Sequence, residues 1–235
     1  MNTERSLTLD PMDSVWIVVP AYNEEGTIRK VLVSLLRSYR NVIVVDDCSI
    51  DATGALATDA GAHLVRHSVN LGQGAALQTG ITFALQNGAG YIVTFDADGQ
   101  HRSKDIAALL AALAGCDADF ALGSRFLGTT TGLDLPRRRL LKVAVLFSRM
   151  TTGLEITDAH NGLRAFTRRG ASVLQICQNR MAHASEILHQ IAKSRLKFVE
   201  VPVTIDYTQY SKAKGQRLSN SVNILLELLA GSLHR

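Results

Sequence analysis

Apolar positions along this chain recur with two different spacings. Val15 to Val19 is an unbroken apolar run closed by Pro20, the pattern of a strand buried on both faces. Ile28, Val31, Leu32, Leu35 and Leu36 then recur three and four apart, which predicts an amphipathic helix. Asn23 is its expected N-cap, and Glu24 and Glu25 suit the positive end of the helix dipole. The alternation repeats. Val42 to Val45 predicts a strand, followed by a short Ala-rich helix opened by Asp51. His63 to Arg66 predicts a strand and Gly74 to Asn87 a helix, with Gly88 and Gly90 as stop signals. Tyr91 to Phe95 reads as a strand ending at Asp96. Next come a helix capped by Ser103 and ended by Gly115, and a strand at Phe120 to Leu122.

Beyond residue 126 the pattern is less regular. Leu140 to Met150 reads as a helix behind the basic run Arg137-Arg138-Arg139. Asp158 to Phe166 reads as a polar turn leading into a strand at Leu163 to Phe166, and Ser185 to Lys193 as a helix. Phe198 to Ile205 is extended, with Pro202 marking an edge strand. Leu218, Val222, Leu225, Leu226 and Leu229 form the stripe of a C-terminal amphipathic helix.

Strands alternating with helices imply βαβ units, hence an α/β fold with a Rossmann-like, mostly parallel sheet flanked by helices. In such sheets ligands sit beyond the carboxyl ends of the strands. The polar clusters fall there: Pro20-Ala21-Tyr22-Asn23-Glu24, Asp46-Asp47, Asp96-Ala97-Asp98 and Gly123-Ser124-Arg125.

Composition narrows the class. The chain has 235 residues, 46% of them hydrophobic and 20% charged, enough for a core in one sizeable domain. No apolar run reaches the roughly 18 residues needed to cross a bilayer. Met1 to Asp13 is polar and reads as a disordered lead-in on a cytoplasmic protein. Cys48, Cys116 and Cys177 are too dispersed for a zinc site or a redox pair. A net charge of +4 fits anionic partners. Only 6% of residues are aromatic, which argues against a base-stacking platform and so against nucleic acid.

Five stretches can carry chemistry. Asp96 and Asp98, one residue apart past a strand, can offer oxygens to Mg²⁺ or Mn²⁺, and such a cation can stabilise a diphosphate leaving group. Alone, this text is also an ordinary turn; its convergence with the other clusters favours the metal. Asp46 and Asp47 can accept from a base or a ribose hydroxyl. Asn70-Leu71-Gly72-Gln73-Gly74 either lets backbone approach a phosphate or makes a tight helix entry; neither a GxGxxG fingerprint nor a Walker A loop is present. Arg125 is placed to meet a diphosphate, and Asp158 is a candidate general base or a turn residue. His101 and His160 lack partners at ligand spacing.

Together these stretches resemble family 2 glycosyltransferases of the GT-A fold, in particular the dolichyl-phosphate mannose synthase-like, polyprenyl-phosphate branch. The matching text runs from Val19-Pro20-Ala21-Tyr22-Asn23-Glu24-Glu25 through Val45 to Thr53, Asn70 to Gly80, Asp96 to His101, Gly123 to Arg125 and Thr157 to Arg164, and on to Glu200-Val201-Pro202-Val203. The resemblance implies a nucleotide-sugar-binding domain over residues 14–216, followed by the helix in 217–235. It implies that Pro20, Ala21, Tyr22, Glu24, Val45 and Asp47 hold the nucleoside, with Asp96 and Ala97 against the donor. Asp98 and Gln100, beside Asp96, would bind the metal. Arg125 would meet phosphate, and Asp158 would serve the acceptor as base or orienting group. Inversion at the anomeric centre is implied as well.

The branch usually carries an arginine before a Gly-x-Ser-Lys stretch. Here the text is Tyr207 to Gln216 without one, and Lys212 and Lys214 stand in as acceptor-phosphate contacts. The expected reaction moves a sugar from a nucleotide diphosphate (GDP- or UDP-linked) to a lipid phosphate. A saccharide or other hydroxyl acceptor is the alternative. A nucleotidyltransferase or a non-catalytic nucleotide-sugar binding protein is the reading from another class. Peripheral membrane contact and a homo-oligomer stay open.

Overall fold

The computed structural model describes residues 14–178 and 182–207. The expected lead-in over residues 1–13, Lys212 and Lys214, and the C-terminal helix lie outside the described residues.

Seven strands form one sheet in the order β3-β2-β1-β4-β6-β5-β7. They are β1 Val15–Ala21, β2 Asn41–Asp46, β3 His63–Arg66, β4 Tyr91–Thr94, β5 Phe120–Thr131, β6 Arg164–Thr167 and β7 Phe198–Asp206. All pairings are parallel except those of β6 with β4 and β5. Six strands therefore end on one edge of the sheet, and β6 begins on it. Arg164 starts β6 opposite Thr94 and Leu122, so it enters the same edge from the opposite direction.

Alternation along the strands sorts side chains into two layers. Val15, Ile17, Val19, Val42, Val44 and Val93 face one core. Helices α1 (Ile28–Leu36) and α4 (Asp105–Gly115) cover it through Ile28, Leu32, Leu35, Ile106 and Leu109. Trp16, Val18, Ile43, Val45 and Ile92 face the other. There α3 (Gln73–Gln86) and α7 (His183–Ser194) contribute Leu77, Ile81, Ile187 and Leu188. Burial on both faces is why these strands read as unbroken apolar runs. Helix α3 lies so close to β1 that a Cβ on Gly80 would collide with Val18. The shorter helices are α2 (Thr53–Asp59) and α6 (Arg168–Ser172), and α5 spans Leu135–Thr152.

Several local expectations are corrected. Asn23 does not cap α1: it holds a left-handed φ of 53°, its N–H donates to Ser49 Oγ, and its Oδ1 accepts from Ile50 N–H. Thr27 is the N-cap, and Glu24 and Glu25 lie upstream of the first turn. Tertiary bonds between two loops outcompete the local cap. Ser103 makes no side-chain cap bond on α4, which starts at Asp105. Strand β5 runs on to Thr131 because β7 pairs with it again after an irregularity between Ser124 and Thr129. Arg137 to Arg139 lie inside α5 rather than before it: Asp134 caps this helix by accepting from Arg137 N–H, and Pro136 stands in its first turn. The α6 turn was not anticipated; Thr167 Oγ1 caps it at Gly170 N–H.

Candidate active site

The donor edge begins where β1 and β2 end. Asp47 N–H donates to Ala21 O, joining the two strand ends. The buried Asp47 carboxylate accepts from Leu71 N–H at 2.9 Å, Gly72 N–H at 2.7 Å and His67 Nδ1 at 2.8 Å. His67 Nε2 in turn meets Thr79 Oγ1 at 3.0 Å. Asp47 thus folds the Asn70–Gly72 turn back onto β2, where Gly72 takes the left-handed φ of 92° needed to enter α3.

The first residue of α3 continues the chain of contacts. Gln73 Nε2 donates to Asp96 Oδ1 at 3.0 Å, and His101 Nε2 meets Asp96 Oδ2 at 3.1 Å. Gly162 presses on the same carboxylate, and a Cβ there would collide with it. Thr94 Oγ1 fixes this turn by donating to Gly162 O at 2.7 Å. Burial alone would raise the Asp96 pKa, but the bond and charge of His101, with the charges of His183 and Arg164, hold it below the ordinary value.

Asp98 has the opposite electrostatics. Burial, reinforced by the charge of Asp96, pushes its carboxyl up to about 6. Its Oδ1 accepts from Gln100 N–H at 3.0 Å across the Gly99 turn. A carboxylate pushed towards neutrality by burial and by the charge of Asp96 suits a hard divalent cation, which would stabilise its charged form. Among the described residues no group of three His, Cys, Asp or Glu forms a cage. The side chains therefore fit a cation held by one or two protein oxygens and completed by phosphates and water. Within the expected metal set the geometry distinguishes the members: Asp96 is already engaged on both oxygens, whereas Asp98 is the one left with unrelieved charge.

Exposure divides the expected nucleoside contacts. Tyr22 is 45% exposed and Glu24 is half-buried. Pro20, Ala21 and Ala97 are buried. The side chain of Val45, expected beside the nucleoside, is wholly buried against α3 in the second core layer. An apolar side chain in a strand covered on both faces belongs to packing.

The acceptor edge is built differently. Arg125, near the middle of β5, and Asp158 form a buried pair, 8% and 1% exposed at the side chain. Asp158 Oδ2 accepts from Arg125 Nε at 2.6 Å and from Arg125 N–H at 3.0 Å. The guanidinium also donates to Tyr207 Oη and to His160 O, each at 2.7 Å. Burial would raise the Asp158 pKa, but the Arg125 charge and hydrogen bonds keep it below the usual range. Glu200, on β7, accepts from Thr157 N–H and Asp158 N–H and orients the turn. In this arrangement Arg125 is committed to protein partners, and Asp158 Oδ2 is held by Arg125 while Oδ1 accepts from His160 N–H at 3.2 Å.

Sequence reasoning missed His67 and His183, and it named Gln73 and Arg164 only as parts of longer stretches, without a role. Arg164 is buried, with its pKa drawn down to about 10 by burial despite the charges of Asp96 and Asp158. It lies electrostatically between the donor and acceptor edges. Local spacing gives it no role, because it reaches the site only through the reversal of β6.

An α/β sheet carrying acidic groups beyond its parallel strand ends is the architecture of a nucleotide-sugar-binding transferase domain. The chain belongs to glycosyl transferase family 2, whose model matches residues 16–174. It is 32% identical over 239 residues to the UDP-N-acetylglucosamine–dolichyl-phosphate N-acetylglucosaminyltransferase of Methanococcus voltae, covering 92% of this chain and 94% of that one. It is 29% identical to the polyprenol monophosphomannose synthase of Mycolicibacterium smegmatis, covering 90% and 84%. The fold matches glucosyl-3-phosphoglycerate synthase from Mycobacterium tuberculosis, solved with Mg²⁺ and uridine diphosphate, with a TM-score of 0.72 at 19% identity over 92% of this chain and 78% of that one.

Proposed function

We propose that this glycosyltransferase moves a sugar, with inversion, from a nucleoside diphosphate to a polyprenyl phosphate, with Mg²⁺ or Mn²⁺ as cofactor. The observation that carries the acceptor assignment is the state of Asp158. Its carboxylate is buried, depressed in pKa and paired with Arg125 through Oδ2. A sugar hydroxyl needs a base to remove its proton. A phosphate monoester does not, since its second pKa is about 6 and it is an anion at pH 7. The lipid phosphates in the names of the Methanococcus and Mycolicibacterium relatives support the same reading.

In this mechanism Tyr22 and Glu24 line the nucleoside side, and Asp47 holds the Leu71–Gly72 turn that shapes it. Asp98 and Gln100 hold the cation, with Asp96 fixed beside them by Gln73 and His101. A cation held there would supply charge neutralisation for the departing diphosphate. Asp158 and Arg125 orient the acceptor turn as a pair. Lys212 and Lys214 remain proposed phosphate contacts. Lipid acceptors imply a peripheral position at a membrane; no described helix is long and apolar enough to cross one.

The test is sugar transfer from UDP- and GDP-linked donors to a short-chain polyprenyl phosphate in detergent, beside the matching polyprenol and free saccharides, with Mn²⁺ or EDTA. Label should reach the organic phase only with the phosphorylated lipid and only with metal. Efficient transfer to the polyprenol or to a saccharide overturns the acceptor assignment.

A further inference from the structure

The loop that carries Asp98 and Gln100 is stitched to the end of a distant strand. Strand β7 stands at the edge of the sheet and pairs with β5. Its last residues use their other side for the loop that follows β4. His101 forms an isolated antiparallel bridge with Ile205, and Asp206 N–H donates to Gln100 O at 2.9 Å. Gln100 N–H in turn donates to Asp98 Oδ1 at 3.0 Å. Both backbone polar groups of Gln100 are therefore fixed, one by Asp98 and the other by β7.

Side chains lock the same junction. Arg102 donates Nε–H to Asp206 Oδ2 at 2.6 Å and Nη2–H to Oδ1 at 2.8 Å, a two-toothed contact across 104 positions. Thr131 Oγ1, at the end of β5, donates to the same Oδ1 at 2.7 Å. The Arg102 and Asp206 side chains are 37% and 31% exposed, and an ion pair so open to water contributes little to the stability of a fold. What it fixes is orientation, because a flat guanidinium meets a carboxylate squarely in few poses. The loop needs such a hold. Gly99, between Asp98 and Gln100, takes a left-handed φ of 74°, and glycine by itself restrains a turn least.

We propose that Asp206, through its bond to Gln100 and its pairing with Arg102, is a positioning residue that presets the cation loop. The inference rests on the reading of Asp98 and Gln100 as the groups that hold the cation, and adds the pair that keeps them in place. Supports one step behind a metal ligand are worth about 10- to 100-fold in metal affinity. Charge alone gives a different expectation. Loss of the Asp206 carboxylate would weaken cation binding, but loss of the Arg102 guanidinium would tighten it. Positioning requires both losses to weaken it.

The experiment is titration of the metal-free full chain with Mn²⁺, alone and with UDP or GDP, with free Mn²⁺ read by electron paramagnetic resonance against protein-free controls. Asp206→Asn and Arg102→Met should each raise the dissociation constant for Mn²⁺ by about tenfold. The double variant should lose no more than about twofold beyond the weaker single one, because both act through one contact. Melting temperatures should stay within about 3 °C of wild type. Unchanged affinity in the two variants, or tighter binding by Arg102→Met, overturns the proposal. So does a loss of affinity that comes with a fall in melting temperature of more than about 5 °C, which would make the pair a strut of the fold. Asp98→Ala separates the two readings. If it loses Mn²⁺ while the Asp206 and Arg102 variants keep it, only the positioning role falls. If it binds Mn²⁺ like wild type, or wild type binds none, the cation reading falls and the positioning role with it.

Discussion

The donor edge and the acceptor edge of the sheet solve the same problem, presenting charge beyond strand ends, by different means. At the donor edge the acids belong to short motifs that directly follow β2 and β4. Their supports are nearby turns, as when Asp47 accepts from Leu71 and Gly72. One carboxylate, Asp98, is pushed up to about 6 by burial, with the charge of Asp96 adding to it. At the acceptor edge the charges cancel internally. Arg125 is satisfied by Asp158, His160 and Tyr207, the last of them 82 positions away. An unrelieved charge is suited to receiving a ligand, whereas a neutralised buried pair is suited to holding a shape.

Three experiments bear on that contrast. The largest effect is expected at the donor edge. Asp98→Ala should reduce transfer by about a thousandfold, since a bound cation contributes several kcal/mol to the leaving diphosphate. Its melting temperature should stay level or rise, because the lost charge is a repelled one. Near-normal turnover in a steady-state assay would remove the cation from Asp98.

At the acceptor edge the main effect should be on stability. Arg125→Met leaves Asp158 buried without its counter-ion and should cost about 3–5 kcal/mol in urea unfolding. A loss below about 1 kcal/mol would show that the pair is not a strut, and would return Arg125 to the role of a free phosphate contact.

The smallest effect is a pH dependence. Burial draws the His160 pKa down from 6.5 to about 4, against the pull of Asp158. The unfolded chain therefore binds a proton that the folded chain refuses. Stability from this residue is complete above about pH 6.5 and is lost as the pH falls towards 4. Between pH 7 and pH 5 the wild type should lose about 2 kcal/mol more than His160→Asn. Parallel denaturation curves for the two proteins would mean that His160 is solvated and the acceptor turn is open.

The donor half was legible in the sequence because its signals are local. Apolar runs gave β1, β2 and β4, helical spacing gave α1, α3 and α4, and the acids stand where those strands stop. Pro202 correctly marked β7 as an edge strand, since a residue without an N–H is tolerated there. Caps were less legible. Asn23 is a good N-cap by type, yet Ser49 and Ile50 claim its polar groups from 26 and 27 positions away. Arg125 and Asp158 could be named as candidates, but their mutual neutralisation depends on a contact across 33 positions.

By itself, the order of apolar and polar residues determined the α/β class, the edge on which the polar clusters gather and the acids at the ends of β2 and β4. Those features follow from strand and helix periods and from the rule that parallel strands deliver their ends to one side. Tertiary structure alone decided which charges are free. It brought Arg164 to the site through the reversed strand β6, bound Gln73 and His101 to Asp96, and closed Arg125 onto Asp158. The reason is physical. Whether a charge is available depends on burial and on partners within a few ångströms, and those partners are set by the fold rather than by neighbours in the chain.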